Sequence, residues 1–293
     1  MNIGIPKEVK NHEYRVGLTP SSVFELTQAK HTVFFESGAG NGSGFKNIDF
    51  VQAGGRCVPN AEELFEQSEL IIKVKEPQKQ ERSLLNQQHT LFTYLHLAPD
   101  AGQTNDLVDS GATCIAYEMV SDKEGRLPLL LPMSEIAGRM SIQAGAHCLE
   151  KTQGGCGIML GGVPGVHRAT VLILGGGVVG SNAARIAIGM GARVIVMDKS
   201  LDTLRGLDST FGNTIQTIFS TTQNLLELLP KADLVVGAAL VPGANAPKLI
   251  RRQDLKLMKP GSVLVDVAID QGGCFETSKP TTHQTPTYII DDI

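Results

Sequence analysis

Two sets of residues in this sequence carry chemical information, and the first is a glycine turn. Thr170-Val-Leu-Ile-Leu-Gly-Gly-Gly-Val-Val-Gly180 reads as a buried strand that empties into a helix, and a second strand, Arg193-Val-Ile-Val-Met, delivers Asp198. In that order Gly175 allows a tight turn, Gly177 lets the backbone approach a pyrophosphate, and Gly180 lets the helix pack on the strand. The helix N-terminus offers unpaired N–H groups to phosphate. Asp198 sits eighteen residues past Gly180, where a carboxylate accepts the ribose 2′-hydroxyl of NAD and repels a 2′-phosphate. The predicted cofactor is NAD.

The second set is Arg15, Lys75, His96 and Asp270. Lys75 follows Leu70-Ile-Ile-Lys-Val, His96 closes Thr90-Leu-Phe-Thr-Tyr-Leu, and Asp270 follows Val263-Leu-Val-Asp-Val-Ala-Ile. Arg15 lies in a charged loop after the first strand. Ligands of open α/β sheets bind beyond the carboxyl ends of strands, which gives these positions weight. An arginine fork and a lysine ammonium suit a carboxylate. An imidazole with a near-neutral pKa can exchange a proton with oxygen or nitrogen as hydride leaves or arrives at the adjacent carbon. Three of them also have an ordinary structural reading: a satisfied strand-end histidine for His96, a solvated loop for Arg15, a helix cap or turn carboxylate for Asp270. His12, His31, His89, His147, His167 and His283 are less favourably placed and read as structural or surface residues.

The elements that must hold these groups alternate strand and helix. Asn2-Ile-Gly-Ile, a helix after Thr19-Pro20, His31 to Glu36, a helix near Ala61, and the strands at Leu70, Thr90 and Thr113 fill the first 130 residues. Pro20 just inside a helix start, with Thr19 as its cap, is a strong local signal. Ser134 to about Lys151 reads as a long helix after the Leu127-Pro-Leu-Leu-Leu-Leu-Pro132 segment, where the domain junction is placed. Strands follow at Thr214 to Phe219, Ala232 to Gly237 and Ser262 to Ala268, and Thr287-Tyr-Ile-Ile reads as the start of another. Strands spaced by helices predict parallel sheets. The expected fold is therefore α/β, with two doubly wound domains: a substrate domain at residues 1–130 and a Rossmann-type NAD-binding domain at 131–293, the site lying in the cleft between.

Composition narrows the partners. At 293 residues two domains of ordinary size are expected, and 42% hydrophobic with 19% charged residues suits a globular enzyme. A net charge of −4 offers no basic footprint for nucleic acid. Neither an export leader nor a membrane-spanning run is read, so a cytoplasmic protein is expected. Five cysteines show no C-x-x-C pair and no metal-ligand grouping, so no metal is expected and reduced thiols are. Cys274 reads as packing rather than as a nucleophile.

Several segments together resemble the alanine dehydrogenase family, which shares ancestry with the nucleotide-binding subunit of proton-translocating transhydrogenase. They are Gly4-Ile-Pro-Lys-Glu-Val-Lys-Asn-His-Glu-Tyr-Arg-Val-Gly-Leu-Thr-Pro20, Val74-Lys-Glu-Pro77, Phe92 to Ala98, Pro132 to Met140, Gly161-Gly-Val-Pro-Gly165, the glycine turn, and Asp266 to Thr277. The resemblance covers essentially the whole chain and implies NAD-dependent, reversible oxidative deamination of L-alanine to pyruvate and ammonia. On matched positions it implies that Arg15 and Lys75 bind the substrate carboxylate, that His96 is the acid/base, and that Asp270 positions water or ammonia. It further implies that Ser134, Val178, Val179, Asp198, Ser220, Ala239, Leu240, Val267, Ala268 and Ile269 line the NAD site, and that the assembly is a homo-hexamer. Thr203 stands where relatives often place a basic residue, and that contact is not carried over.

Relatives continue past the Tyr288-Ile-Ile segment into a nicotinamide loop and a helix that returns to the first domain, so the expectation is a C-terminally truncated chain whose first domain lacks that helix. Two other readings compete with the dehydrogenase: a non-catalytic NAD(H)-binding module of transhydrogenase type, and an inactive truncated remnant.

Overall fold

The structure is a computed structural model that describes residues 1–97, 100–239, 246–282 and 284–293, and of Asp270 the backbone. By compactness the chain divides into two units, Met1–Leu130 and Leu131–Ile293.

The N-terminal unit is built from β1 (Asn2–Ile5), α1 (Pro20–Gln28), β2 (Thr32–Glu36), α2 (Asn47–Gln52), β3 (Arg56–Val58), α3 (Ala61–Gln67), β4 (Leu70–Ile72), α4 (Lys79–Arg82), β5 (Thr90–Thr93), α5 (Ala101–Ser110) and β6 (Thr113–Ala116). Its six strands are ordered β3-β2-β1-β4-β5-β6 and every pairing is parallel. Side chains alternate across β2 as a strand requires. Val33 and Phe35 pack with Val23 of α1 and Phe50 of α2, whereas Phe34 packs with Leu64 and Phe65 of α3. Both sheet faces are thus covered, and the chain reverses its winding between β1 and β4. That switch point opens a crevice beyond the strand ends.

The C-terminal unit holds α6 (Leu131–Cys148), β7 (Thr170–Leu174), α7 (Val178–Gly189), β8 (Arg193–Asp198), α8 (Leu201–Phe211), β9 (Ile215–Phe219), α9 (Thr222–Leu228), β10 (Leu234–Gly237) and β11 (Val263–Asp266). Its sheet runs β11-β10-β7-β8-β9, again all parallel, with the switch between β7 and β10. Val171 and Ile173 face Ile142 of α6 and Ala183, Ala184 and Ala187 of α7, while Leu172 and Leu174 face the side of α9, with Leu225 and Leu228. Near-continuous apolar strands of this kind belong to sheets buried on both faces.

Two expectations change, and one strand is new. The long helix starts at Leu131 rather than Ser134, with Pro132 in its first turn, where a missing N–H costs nothing. The segment Arg56–Val58 is a strand although only Val58 is buried, so it shows no clear alternation to read. Thr287-Tyr-Ile-Ile forms no strand: the Tyr288 hydroxyl donates to the Thr277 carbonyl at 3.0 Å, and Ile290 and Ile293 pair with each other in a turn. Among the described residues no helix is long and apolar enough to cross a membrane.

Candidate functional site

In the N-terminal unit, Lys75 lies just beyond β4 and His96 just beyond β5, neighbouring strands at the switch-point edge. The two strand ends are tied together, because Thr93 Oγ1 donates to the Lys75 carbonyl at 3.0 Å. The Lys75 side chain is half-buried, and among the described residues no carboxylate forms an ion pair with its ammonium. A half-buried cation at a strand end, with no direct ion pair among the described residues, is suited to an incoming anion.

Arg15 reaches the same neighbourhood from the loop after β1, its guanidinium within electrostatic range of the Glu8 carboxylate and of Tyr94. Its Nε and Nη2 donate to the two Glu13 carboxylate oxygens at 2.7 and 2.5 Å. This side-chain hydrogen bond, with the charges of Arg15 and Lys75, holds the Glu13 carboxyl below the usual carboxylate range despite burial. Glu13 therefore orients the fork and offsets part of its charge.

His96 has φ of 49°, a left-handed backbone that a side chain rarely adopts and that gathers at functional sites. Glu118, on a 3-10 turn after β6, holds it there: its Oε1 accepts the His96 N–H at 2.8 Å and the Leu95 N–H at 3.1 Å. The imidazole lies nearly parallel to the Tyr94 ring, with centroids 6.2 Å apart at 17°. The Tyr94 hydroxyl in turn donates to the Leu129 carbonyl at 2.6 Å. Among the described residues no hydrogen bond occupies the His96 ring nitrogens, which leaves the imidazole available for proton exchange.

Beneath these groups lies a charge cluster that the sequence did not reveal. Lys73, with its side chain fully enclosed, pairs with Glu8 at 3.2 Å and Glu81 at 2.6 Å. Burial pushes the Glu8 carboxyl above its ordinary value, while the Lys73 ammonium and the Val74 N–H pull it back. A charge within an otherwise apolar strand run was the one available signal, since the partners arrive from distant segments.

In the C-terminal unit the glycine turn matches the geometry a dinucleotide needs. Gly175, at φ of 109°, passes so close to β10 that a Cβ would lie 2.6 Å from the Ala238 carbonyl oxygen. A Cβ on Gly180 would overlap the Gly175 carbonyl, which keeps α7 tight on β7. A Cβ on Gly177 would meet nothing within 4 Å, so open space lies before the helix start. Gly177 is the cap residue of α7 and supplies no side-chain cap, leaving the first-turn N–H groups of Val178, Val179 and Gly180 for an anion. A pyrophosphate fits this cradle.

Asp198, at the tip of β8, accepts the Gly176 N–H at 2.7 Å through Oδ2 and the Ser200 N–H at 2.8 Å through Oδ1. Both oxygens keep a second lone pair for a ribose hydroxyl. The Ser220 N–H donates to the Asp198 carbonyl at 2.9 Å, so the ends of β8 and β9 are held together. Ser134 shares a helix face with Gly138, four residues on, which packs against Val179 at the start of α7. Ala239 follows β10, and Val267, Ala268 and Ile269 follow β11, anchored where the Val267 N–H donates to the Gly237 carbonyl at 2.9 Å. These positions share the carboxyl edge of the sheet with the glycine turn. Leu240 and the Asp270 side chain lie outside the described residues; the backbone of Asp270 is in the 3-10 turn Ile269–Gln271.

Asp266, not singled out from sequence, organises that last segment. Its Oδ2 accepts the Cys274 N–H at 2.7 Å and the Ser278 hydroxyl, and its Oδ1 accepts the Ala268 N–H at 3.1 Å. Cys274 itself is fully buried, and burial pushes its thiol up to about 11. That is a packing residue and not a nucleophile.

Comparison with known proteins covers both units. Residues 4–137 match the family described as alanine dehydrogenase/PNT, N-terminal domain, and residues 141–293 match its C-terminal domain. An alanine dehydrogenase of Halomonas elongata is 58% identical over 293 residues, covering 100% of this chain and 79% of the relative. A solved L-alanine dehydrogenase superposes with a TM-score of 0.95 at 50% identity, over 100% of this chain and 81% of that one. A transhydrogenase from Sinorhizobium meliloti gives 0.81 at 27% identity, over 95% and 82%.

Proposed function

The chain belongs to the alanine dehydrogenase/PNT family, and on that premise we propose how its residues carry out the NAD-dependent reaction of an amino-acid dehydrogenase. L-alanine, NAD and water become pyruvate, ammonium, NADH and a proton, and the reaction runs in both directions. When bound, NAD would supply the acceptor for the hydride of the substrate α-carbon, and NADH the donor in the reverse direction.

Residues 1–130 hold the substrate and 131–293 hold the cofactor. Arg15 and Lys75 bind the substrate carboxylate, and His96 moves the proton at the oxygen that the α-carbon gains when water adds to the imine. Asp270 positions that water, or ammonia in the reverse direction. Gly175, Gly177, Val178, Val179 and Gly180 cradle the pyrophosphate, and Asp198 accepts the ribose hydroxyl. Ser134, Ser220, Ala239, Leu240, Val267, Ala268 and Ile269 complete the lining.

The single observation that supports this reading best is the Lys75 ammonium, half-buried at the switch-point edge beside the strand end that carries His96 and without an ion pair among the described residues. A module that merely binds nucleotide has no use for a carboxylate ligand and a proton carrier on adjacent strand ends. The transhydrogenase-type reading is not favoured, since that structure is much less similar than the alanine dehydrogenases.

A homo-hexamer in the cytoplasm completes the proposal. The exposed, free thiol of Cys57 suits a reducing compartment. Steady-state assay with L-alanine against glycine, serine and glutamate tests the substrate, and light scattering tests the assembly. Turnover of glutamate in preference to alanine, or none with any amino acid, would refute it.

A further inference from the structure

β1 and β4 pair only through Ile3–Leu70 and Gly4–Ile71, so the chain beyond Ile72 has lost its backbone partner on that side. On the other side the ladder to β5 continues, with the Lys73 N–H on the Phe92 carbonyl at 3.1 Å. Glu8 fills the vacated side: its Oε1 accepts the Val74 N–H at 2.6 Å and, more weakly, the Lys75 N–H at 3.4 Å. Its other oxygen lies 3.2 Å from Lys73 Nζ, and Lys73 is held in turn by Glu81 at 2.6 Å. Glu81 uses its second oxygen to cap α4 at the Gln78 N–H, 2.8 Å away.

Enclosing three charged side chains is expensive, and apolar residues of equal volume would close this end of the sheet at lower electrostatic cost. Such residues offer no acceptor to the N–H groups of Val74 and Lys75. The Lys75 ammonium has no ion pair among the described residues to steer it, so its direction is inherited from its backbone. We infer that Glu8 is a positioning residue for substrate binding: braced by Lys73 and Glu81, its carboxylate sets the Val74–Lys75 backbone from which the Lys75 ammonium meets the substrate carboxylate. This rests on the role given to Lys75 above.

The test is a double-mutant cycle on pyruvate KM, in which a residue that acts through Lys75 has nothing left to do once Lys75 is removed. Glu8→Gln should raise pyruvate KM about tenfold in the native background, with kcat and the NADH KM within about twofold. In the Lys75→Ala background the same change should alter pyruvate KM by less than about twofold. An equal rise in both backgrounds overturns the inference, as does a parallel loss of kcat and NADH binding. Thermal unfolding identifies a variant that fails to fold. Should Glu8→Gln fail, Glu8→Asp, which keeps the charge for Lys73 but withdraws the carboxylate from Val74, is put through the same two backgrounds with the same expected and contrary results. If Lys75→Ala raises KM while Glu8 replacement is silent, the Lys75 assignment stands and only the Glu8 inference falls. If Lys75→Ala leaves KM unchanged, both fall.

Discussion

The carboxylate of Glu118 holds the backbone of His96, accepting its N–H at 2.8 Å where φ is 49°. A buried or half-buried carboxylate that accepts adjacent N–H groups fixes a strained turn, and removing it leaves those donors unpaired. Glu118→Ala should therefore cost about 1–3 kcal/mol of stability, seen in thermal unfolding. It should also lower kcat about tenfold or more while NADH affinity is kept, because the imidazole is misdirected and the nucleotide turn untouched. An unaltered kcat in a folded Glu118→Ala protein would remove the link between this turn and catalysis.

His96→Ala tests the proton carrier itself. NADH titration should give an affinity within about twofold of the native protein, while turnover falls by about 100-fold or more, the range of general acid–base contributions. Retention of native turnover would return His96 to a structural role.

Lys75→Ala removes an ammonium that contributes mainly to binding. A charge-assisted hydrogen bond is worth roughly 1.5–3 kcal/mol, so pyruvate KM should rise about ten- to a hundredfold, with a smaller effect on kcat. Lys75→Arg should restore little of this, because the fork and the point charge differ in geometry. A KM close to native in Lys75→Ala contradicts the assignment.

How far the sequence anticipated these groups depends on how local the cause was. Glycine spacing and the strand that ends at Asp198 are local patterns, and the turn, its φ and its close approach to β10 all follow them. Lys75 and His96 were visible because each ends an apolar run. Glu8, Glu81 and Glu118 were not: Glu8 and Glu81 are charged residues in polar stretches that read as solvated, and Glu118 sits in an apolar run read as a strand that ends at Ala116. Their burial arises only when α4 folds over Lys73 and the turn after β6 meets β5. β3 escaped notice for a related reason, being three residues long with Arg56 and Cys57 exposed.

The proposed role of Asp198 predicts which coenzyme is taken. Its two oxygens already accept the Gly176 and Ser200 N–H groups, so the carboxylate is fixed at the tip of β8 beside the glycine turn. NADH should bind at least about tenfold more tightly than NADPH, because a 2′-phosphate would face this carboxylate. Asp198→Ser should narrow the gap. Tighter binding of NADPH by the native protein would refute the assignment.

Cys274 supplies a pH signature. Burial raises its thiol pKa to about 11 in the folded chain, above that of the unfolded chain. The protonated thiol is the form the fold prefers, so its contribution to stability is complete below the unfolded thiol pKa and is lost as the pH rises through about 11. Iodoacetamide at pH 8 should label exposed Cys57 quickly and Cys274 only after unfolding. Rapid labelling of Cys274 in the native protein would contradict its packing role.

Hydride transfer from the α-carbon of L-alanine to NAD leaves an isotopic trace. With L-alanine deuterated at that carbon, mass spectrometry should find one deuterium in each NADH formed, and pyruvate in equal amount. NADH without deuterium, or no NADH at all from a folded protein that binds NAD, would show that this hydride is not transferred.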